Sequence, residues 1–559
     1  MKNKIDSFME QMVKCRRIPG AMLAVVNGDA TYATGYGVVD VDSGRKVDKE
    51  TLFNIGSISK MFTSAILVDI MQRNKKSLNG NTVTWDSKLA DLLGPDYALN
   101  DGLDGLSLST LRDIVSHRTG IATADLGIYA GYHDNLTREE FSKRLRLLPA
   151  KYSFRDQFLY SNVLSTLAGH VAEKLTGQQW EDLLEERLWQ PLGMTSSTVL
   201  DQAFFLKNNI AAPHIFNVTT HRLEVQDHSI YRIHPLEPSG ALCSNAEDLV
   251  KWLRHLLGVY RFDPIFTTPS GPRFLEMFRD QVLLKATRRE YRKVHPPVFP
   301  VDDVQVAYCL SLMTRYYNGI KVFFHGGDFY AYSSMLWLVP GINTGFVISI
   351  NGPGQTFETI TAMLYYLTEL FRGYGSWINT TTACSFPLPW EAQVVRMKPL
   401  PPKKPVNTPL TKPASTYTGV YGNGVVGNLF IEETSDGKGL FCKLGVQLRG
   451  RLRPDEELPN DGMALEIEGP MTMVKDLDVG IYLEFLQQNQ DGKYDLVVAH
   501  WHIEDHNFTR DALFDDALTD HSRRLALKSS DTCSSRSWNS GPRISVAAIT
   551  LTAWLVASS

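Results

Sequence analysis

No dominant charge marks this chain: 57 Lys and Arg face 61 Asp and Glu over 559 residues, a net −4. That balance predicts no nucleic-acid partner and no strongly charged substrate. A local basic stretch, Lys285, Arg288, Arg289, Arg292 and Lys293, is broken by Glu290 and reads as a solvated helix face or loop. Cysteine is scarce as well. Cys15, Cys243, Cys309, Cys384, Cys442 and Cys533 are dispersed, without CxxC or metal-ligand spacing. They fit reduced core thiols as well as one or two disulfides, and they suggest no metal and no cofactor. The amino terminus, Met1-Lys2-Asn3-Lys4, lacks the apolar core of a signal peptide and runs directly into helical spacing at Ile5, Phe8, Met9, Met12 and Val13.

What is present is more telling. Ser57-Ile58-Ser59-Lys60 follows Gly56 and opens the stretch Met61–Met71, apolar on nearly every side and therefore expected to be a buried helix. A serine at such a helix start has its Oγ near unpaired backbone N–H groups and the positive end of the helix dipole. A lysine three residues on lies on the same face, where burial disfavours the ammonium and leaves an amine able to take the serine proton. Tyr160-Ser161-Asn162 precedes a helix-like segment at 163–172, and His325-Gly326-Gly327 ends a strand-like one at 319–324. A tyrosine beside a lysine can shuttle protons, an asparagine amide can hold a carbonyl, and glycines let a substrate backbone lie against a strand edge. Taken singly, these segments read equally as a helix cap and a strand-end turn.

In this order the segments resemble those of the serine β-lactamase and penicillin-binding-protein superfamily, in its class C-like, β-lactamase-related branch. Esterases, D-aminopeptidases and animal β-lactamase-like proteins belong to that branch. The resemblance covers about residues 5–370. Ser116-His117-Arg118-Thr119-Gly120, Pro191-Leu192-Gly193-Met194-Thr195 and Ser239-Gly240-Ala241-Leu242-Cys243-Ser244 are similar to further segments of the family. It implies that Ser57 is the acylated nucleophile, Lys60 its base, Tyr160 the proton relay to the leaving group, and Asn162 a substrate-positioning amide. Substrate would also lie along His325, Gly326 and Gly327, with an oxyanion hole from the backbone N–H groups of Ser57 and Asp328. The implied activity is hydrolysis of an ester, amide or peptide bond in a small-molecule or peptide substrate.

Three departures qualify this expectation. His325 stands where penicillin-recognising members carry lysine, and an imidazole with a pKa near ~6.5 is mostly neutral at pH 7. The loss of a fixed cation argues against β-lactams and for substrates without the matching carboxylate. Asp328 brings a carboxylate beside the expected oxyanion hole. Tyr308-Cys309-Leu310-Ser311-Leu312 replaces a glycine-rich strand and would narrow the site. A protein of the same fold that binds without turnover, a matrix or binding protein, is the alternative these changes favour.

The expected fold class is α+β. Residues 1–372 form an antiparallel sheet layered between helices, an α/β/α arrangement with an all-helical subdomain between the first and third motifs. Ala21–Val26 and Ala30–Tyr36 flank Asn27-Gly28-Asp29 as a hairpin, strands follow at 319–325, 333–339 and 344–350, and a helix closes the unit at 357–371. Prolines from Pro387 to Pro413 mark a linker over 373–416. Short alternating runs then predict a small all-β barrel over 417–525, which resembles the lipocalin-like domain of some relatives. His500-Trp501-His502-Ile503-Glu504-Asp505-His506 looks like a metallo-hydrolase motif, but one extra residue precedes Asp505, and a strand-end histidine cluster is expected instead.

The tail, 526–559, couples a Ser-rich stretch to the apolar run 544–557. This run is too short for a comfortable membrane span and resembles a GPI-attachment signal. Such a signal would place the protein at the cell surface, given an upstream leader that this sequence does not contain. If the tail is merely an apolar end, the protein is cytoplasmic. Sequons at Asn135, Asn217, Asn379 and Asn507 do not separate these readings, because about three are expected by chance.

Overall fold

The computed structural model describes residues 1–99, 106–200, 209–217, 220–262, 272–284, 297–353, 357–390, 409–435, 437, 439–455, 458, 461–473, 480–501 and 504–519. The basic stretch at 285–293, most of the proline-rich linker, His502, His521, Cys533 and the tail at 526–559 lie outside the described residues.

The fold is mixed, with an antiparallel sheet flanked by helices and a separate closed barrel toward the carboxyl end. The sheet has eight strands, and its centre is made of chain that is distant in sequence. The hairpin Gly20–Asn27 and Ala30–Gly37 joins the late strands through Gly20–Asn27, which pairs with Thr344–Ile350 in the register Ala21 to Ile350. Tyr332–Val339, Ile320–Phe329, Met313–Tyr317, Asp303–Tyr308 and Val282–Leu283 follow in order across the sheet. The continuous apolar run Ala21–Val26 is explained by burial on both faces. Ala21, Leu23 and Val25 point into a core with Ile5, Phe8, Met9 and Met12 of the first helix, Lys2–Cys15, and with the closing helix Phe357–Arg372. Met22, Ala24 and Val26 point the other way, into a core shared with Phe62, Ile66 and Trp252.

On that second side lies the predicted buried helix, Ser59–Gln72, with nearly every side chain inaccessible. Helices such as Leu111–Val115, Asp125–Ala130, Arg138–Arg144 and Asn162–Thr176 build most of the layer beyond it. The layer is edged by two small sheets, one of them the hairpin His214–Asn217 with Arg222–Val225. A disulfide, Cys15–Cys384, ties the first helix to the short helix Thr380–Ser385, while Cys243, Cys309 and Cys442 are buried thiols.

Eight consecutive antiparallel strands from Gly419–Asn423 to Glu504–Arg510 close the barrel, the first pairing with the last at Tyr421 and Arg510. Leu429, Ile431, Leu440, Cys442, Leu444, Leu483, Phe485 and Val497 fill its interior, as an eight-stranded barrel allows. The barrel touches the helical layer through main chain as well as side chains. Val446 N–H donates to the Gly131 carbonyl and Gln447 N–H to that of Ala130, at 3.1 and 2.8 Å. Arg144 donates to the carbonyls of Gly424 and Phe514. Among the described residues no helix is long and apolar enough to cross a membrane, and no group of His, Cys, Asp and Glu has the arrangement of a metal site.

Candidate active site

Ser57 sits in the single 3-10 turn Gly56–Ile58 that leads into the buried helix. The turn is pressed against the strand Ile320–Phe329, and two glycines make this approach feasible. A Cβ on Gly327 would lie 1.9 Å from the Ile55 carbonyl oxygen and 3.3 Å from the Ser57 nitrogen. At Gly56, where φ is +50°, a Cβ would lie 2.5 Å from the Asp328 nitrogen. The backbone of the first motif and that of the third therefore meet at van der Waals distance. Both expected oxyanion nitrogens, of Ser57 and Asp328, belong to this seam. The Asp328 carboxylate accepts a hydrogen bond from Ser333 at 2.9 Å, so the strand ladder engages one of its oxygens.

Lys60 is buried one turn further along. Its Nζ donates to Asn162 Oδ1 at 2.8 Å and to the Ser239 carbonyl at 2.6 Å, and shares a hydrogen bond with Ser57 Oγ at 2.9 Å. Burial drives its pKa well below 10.5, and only Asp125 opposes the shift. That shift favours the amine form of a group within hydrogen-bond reach of a hydroxyl. The Lys60 Nζ also lies 4.8 Å from the centre of the Tyr160 ring. The Tyr160 hydroxyl is buried and makes no hydrogen bond among the described residues. Burial raises its pKa above 10, while Ser57, which it faces, pulls the other way. Asn162 begins the helix Asn162–Thr176 and donates through Nδ2 to Asp125 Oδ1 at 3.2 Å.

The strand wall has a different character. His325 is fully buried, its Nδ1 bonded to the Gly326 carbonyl at 2.6 Å and its Nε2 to the Tyr308 hydroxyl at 3.0 Å. These partners assign the proton to Nδ1 and make Nε2 the acceptor. Burial, then Lys60, pushes the His325 pKa down to about 3. The segment 308–312 turns tightly, with Cys309 N–H bonded to the Leu312 carbonyl, and the Tyr308 ring packs among Phe158, Tyr160 and His117. His117 accepts from Ser161 N–H through Nδ1, and its ring lies tilted against that of Tyr160, with centroids 4.6 Å apart. Burial pushes its pKa well below the usual imidazole value.

Thus Ser57, Lys60, Tyr160, Asn162, His325, Gly326, Gly327 and Asp328 come together from three separate stretches of chain. Two further residues lie beside them that motif reading did not single out for the site. Asp125 is buried against Asn162, its pKa pushed up to about 7 by burial and then by Glu504. Glu504 comes from the barrel and accepts the backbone N–H groups of Thr123 and Ala124 at 2.8 and 3.2 Å. In the metallo-hydrolase-like cluster, His500 Nδ1 meets Asp505 across the ladder at 2.7 Å, while Glu504 is turned toward the helical layer.

A serine hydroxyl beside a buried lysine, in an antiparallel sheet flanked by helices, is the arrangement around which this fold is built. Residues 5–368 match the family described as Beta-lactamase, and the chain belongs to that family; it is a β-lactamase-related hydrolase. Similar proteins include an unguisins hydrolase of Aspergillus violaceofuscus, 25% identical over 442 residues, which span 77% of this chain and 76% of that one. A second unguisins hydrolase, of Aspergillus campestris, is 28% identical over 356 residues, 63% and 62% of the two chains. A D-aminopeptidase of Brucella canis is 23% identical over 401 residues, 68% and 67%. Among solved structures, the octameric penicillin-binding protein homologue of Pyrococcus abyssi superposes with a TM-score of 0.54 at 18% identity. It covers 90% of this chain and 99% of its own. That likeness speaks for the fold.

Proposed function

We propose that the protein cleaves an ester, amide or peptide bond through an acyl-enzyme on Ser57. The observation that carries this reading is the buried Lys60 Nζ 2.9 Å from the Ser57 hydroxyl, where burial lowers the lysine pKa and favours the amine form. In the first step Lys60 Nζ takes the Ser57 proton as Oγ bonds to the substrate carbonyl carbon. The negative charge that develops on the carbonyl oxygen is met by the Ser57 and Asp328 backbone N–H groups, a type of stabilisation worth about 3–4 kcal/mol per donor. The bond to the leaving group then breaks, and Tyr160 passes it the proton gathered on Lys60. Water repeats the sequence on the acyl-enzyme, releasing the acid and returning the proton to Ser57.

Asn162 holds both Lys60 and the incoming carbonyl, with Gly326 and Gly327 presenting a strand edge to the substrate. The neutrality of His325 supports substrates that need no cationic partner for a carboxylate. The names of the relatives, hydrolases of unguisins and a D-aminopeptidase, support a substrate of amide or peptide character. A fluorophosphonate probe tests the reading by intact-mass spectrometry. One covalent adduct on the wild type, absent from Ser57→Ala, is expected. No adduct on folded protein would reject turnover through Ser57 and favour a binding role.

A further inference from the structure

The barrel reaches the neighbourhood of the nucleophile through one side chain. Both carboxylate oxygens of Glu504 are spent on consecutive backbone N–H groups, those of Thr123 and Ala124. Ala124 has φ +55°, a left-handed conformation that alanine adopts only when its surroundings hold it there. The next residue is Asp125, whose Oδ1 accepts from Asn162 Nδ2. The other end of the same amide, Oδ1, accepts from Lys60.

An amide has a donor end and an acceptor end of nearly equal shape. Lys60, with its lone pair turned to the Ser57 hydroxyl, presents an N–H to Asn162 and is read best by an oxygen. An acceptor at Nδ2 is what distinguishes the productive orientation of Asn162 from the flipped one, in which NH2 would face Nζ. Asp125 supplies that acceptor. Its position is fixed by the strained turn before it, and the turn is held by Glu504.

We infer that Glu504 is a positioning residue of the active site, acting through the Thr123–Ala124 turn, Asp125 and Asn162 to aim Lys60 at Ser57. The barrel is then part of the catalytic apparatus rather than an appended module. Two features set this contact apart from simple docking. Other docking bonds, such as those of Val446 and Gln447, are available where no carboxyl is brought near Asp125. The Glu504 contact instead sets a second carboxyl beside a buried one, which raises the Asp125 pKa and costs stability. An arrangement with that cost is accounted for by the geometry it imposes on Asn162.

The inference rests on Ser57 being the nucleophile, so its test pairs a chemical readout with one that needs no chemistry. On the full chain, fluorophosphonate labelling kinetics separate probe affinity from the maximal acylation rate. Glu504→Ala and Asp125→Ala are each expected to lower the acylation rate tenfold or more at unchanged affinity, since small misplacements of a reacting group carry losses of that size. Because the residues act in series, the double variant should lose no more than the worse single one. Asp125→Asn keeps an acceptor and should recover most of the loss; Glu504→Gln serves if the alanine variant does not fold.

Either alanine variant within twofold of wild type, or losses that multiply in the double variant, would overturn the inference. Hydrogen–deuterium exchange on the same proteins supplies the second readout. Glu504→Ala should loosen residues 121–130 and 160–164 together, and unchanged protection at 160–164 would overturn the inference whatever the probe does. A wild type that resists the probe, with both segments loosened in Glu504→Ala, would reject the Ser57 reading and retain the positioning chain.

Discussion

The two walls of the cleft have been built to opposite electrostatic rules. The helix wall, with Ser57, Lys60, Tyr160 and Asn162, is a set of proton donors and acceptors grouped around a lysine whose pKa burial pushes down. The strand wall, with His325, Gly326 and Gly327, offers backbone and a ring whose two nitrogens are both taken within the protein. Chemistry is concentrated on one side and shape on the other. Under the proposed function, the means of forming an acyl-enzyme and the means of recognising a charged substrate are separable, since the strand wall carries no fixed cation.

The sharpest break in this contrast comes from Lys60→Met, which removes the base while leaving the strand wall intact. The Ser57 labelling rate should fall by roughly 10²–10⁴-fold, the usual worth of a positioned base. Gly327→Ala attacks from the other wall: its methyl group cannot coexist with the Ile55 carbonyl. Separation of the seam should cost about 10²-fold in labelling, the loss expected for one oxyanion donor, with probe affinity affected less than the acylation rate.

A smaller effect concerns stability. Asp125 has a folded pKa near 7 against 3.8 for an ordinary aspartate. Its favourable contribution is therefore complete below about pH 4 and is lost as pH rises through 7, by a few kcal/mol at most. Asp125→Asn, which never ionises, should raise Tm relative to wild type more at pH 8 than at pH 4 in parallel thermal melts. An equal gain at both pH values would place the carboxyl in an ordinary environment. The finest test changes nothing in the protein. Nitrogen-15 NMR of His325 should report a neutral ring with its proton on Nδ1 from pH 5 to pH 8, and a titration near 6.5 would erase the contrast between the walls.

Much of this was legible in the sequence because local physics dictates it. The all-apolar run after Lys60 is a buried helix, and Ala21–Val26 is a strand buried on both faces; burial on every side suppresses the usual periodicity and is itself the signal. The first motif was legible because Ser57 and Lys60 lie three residues apart where a tight turn runs into the buried helix. Asp125 and Glu504 were not, because what joins them is a contact between chain segments nearly 400 positions apart. No periodicity or spacing announces such a contact. Cys15 and Cys384 were invisible as a pair for the same reason, at a sequence separation of 369. The histidine-rich run at 500–506 drew attention for its resemblance to a zinc motif. Yet the residue in it that touches the helical layer beside the site is the glutamate.

The pairing of Gly20–Asn27 with Thr344–Ile350 has a consequence for how the protein is made. A chain emerging from the ribosome presents its first hairpin long before residue 350 exists to cover it. Throughout that interval Ala21–Val26 carries an unpaired row of backbone donors and acceptors on a wholly apolar strand, the kind of edge that recruits other chains. Ser57 and Lys60 are synthesised early, but the seam against Gly327 can form only after the late strands arrive. Synthesis thus sets an order of events in which the sheet, and with it the nucleophile, is completed by the end of the catalytic unit rather than its beginning. Rearranging the gene so that 320–350 is translated just before residue 20 should shorten that exposed interval and raise the yield of soluble protein.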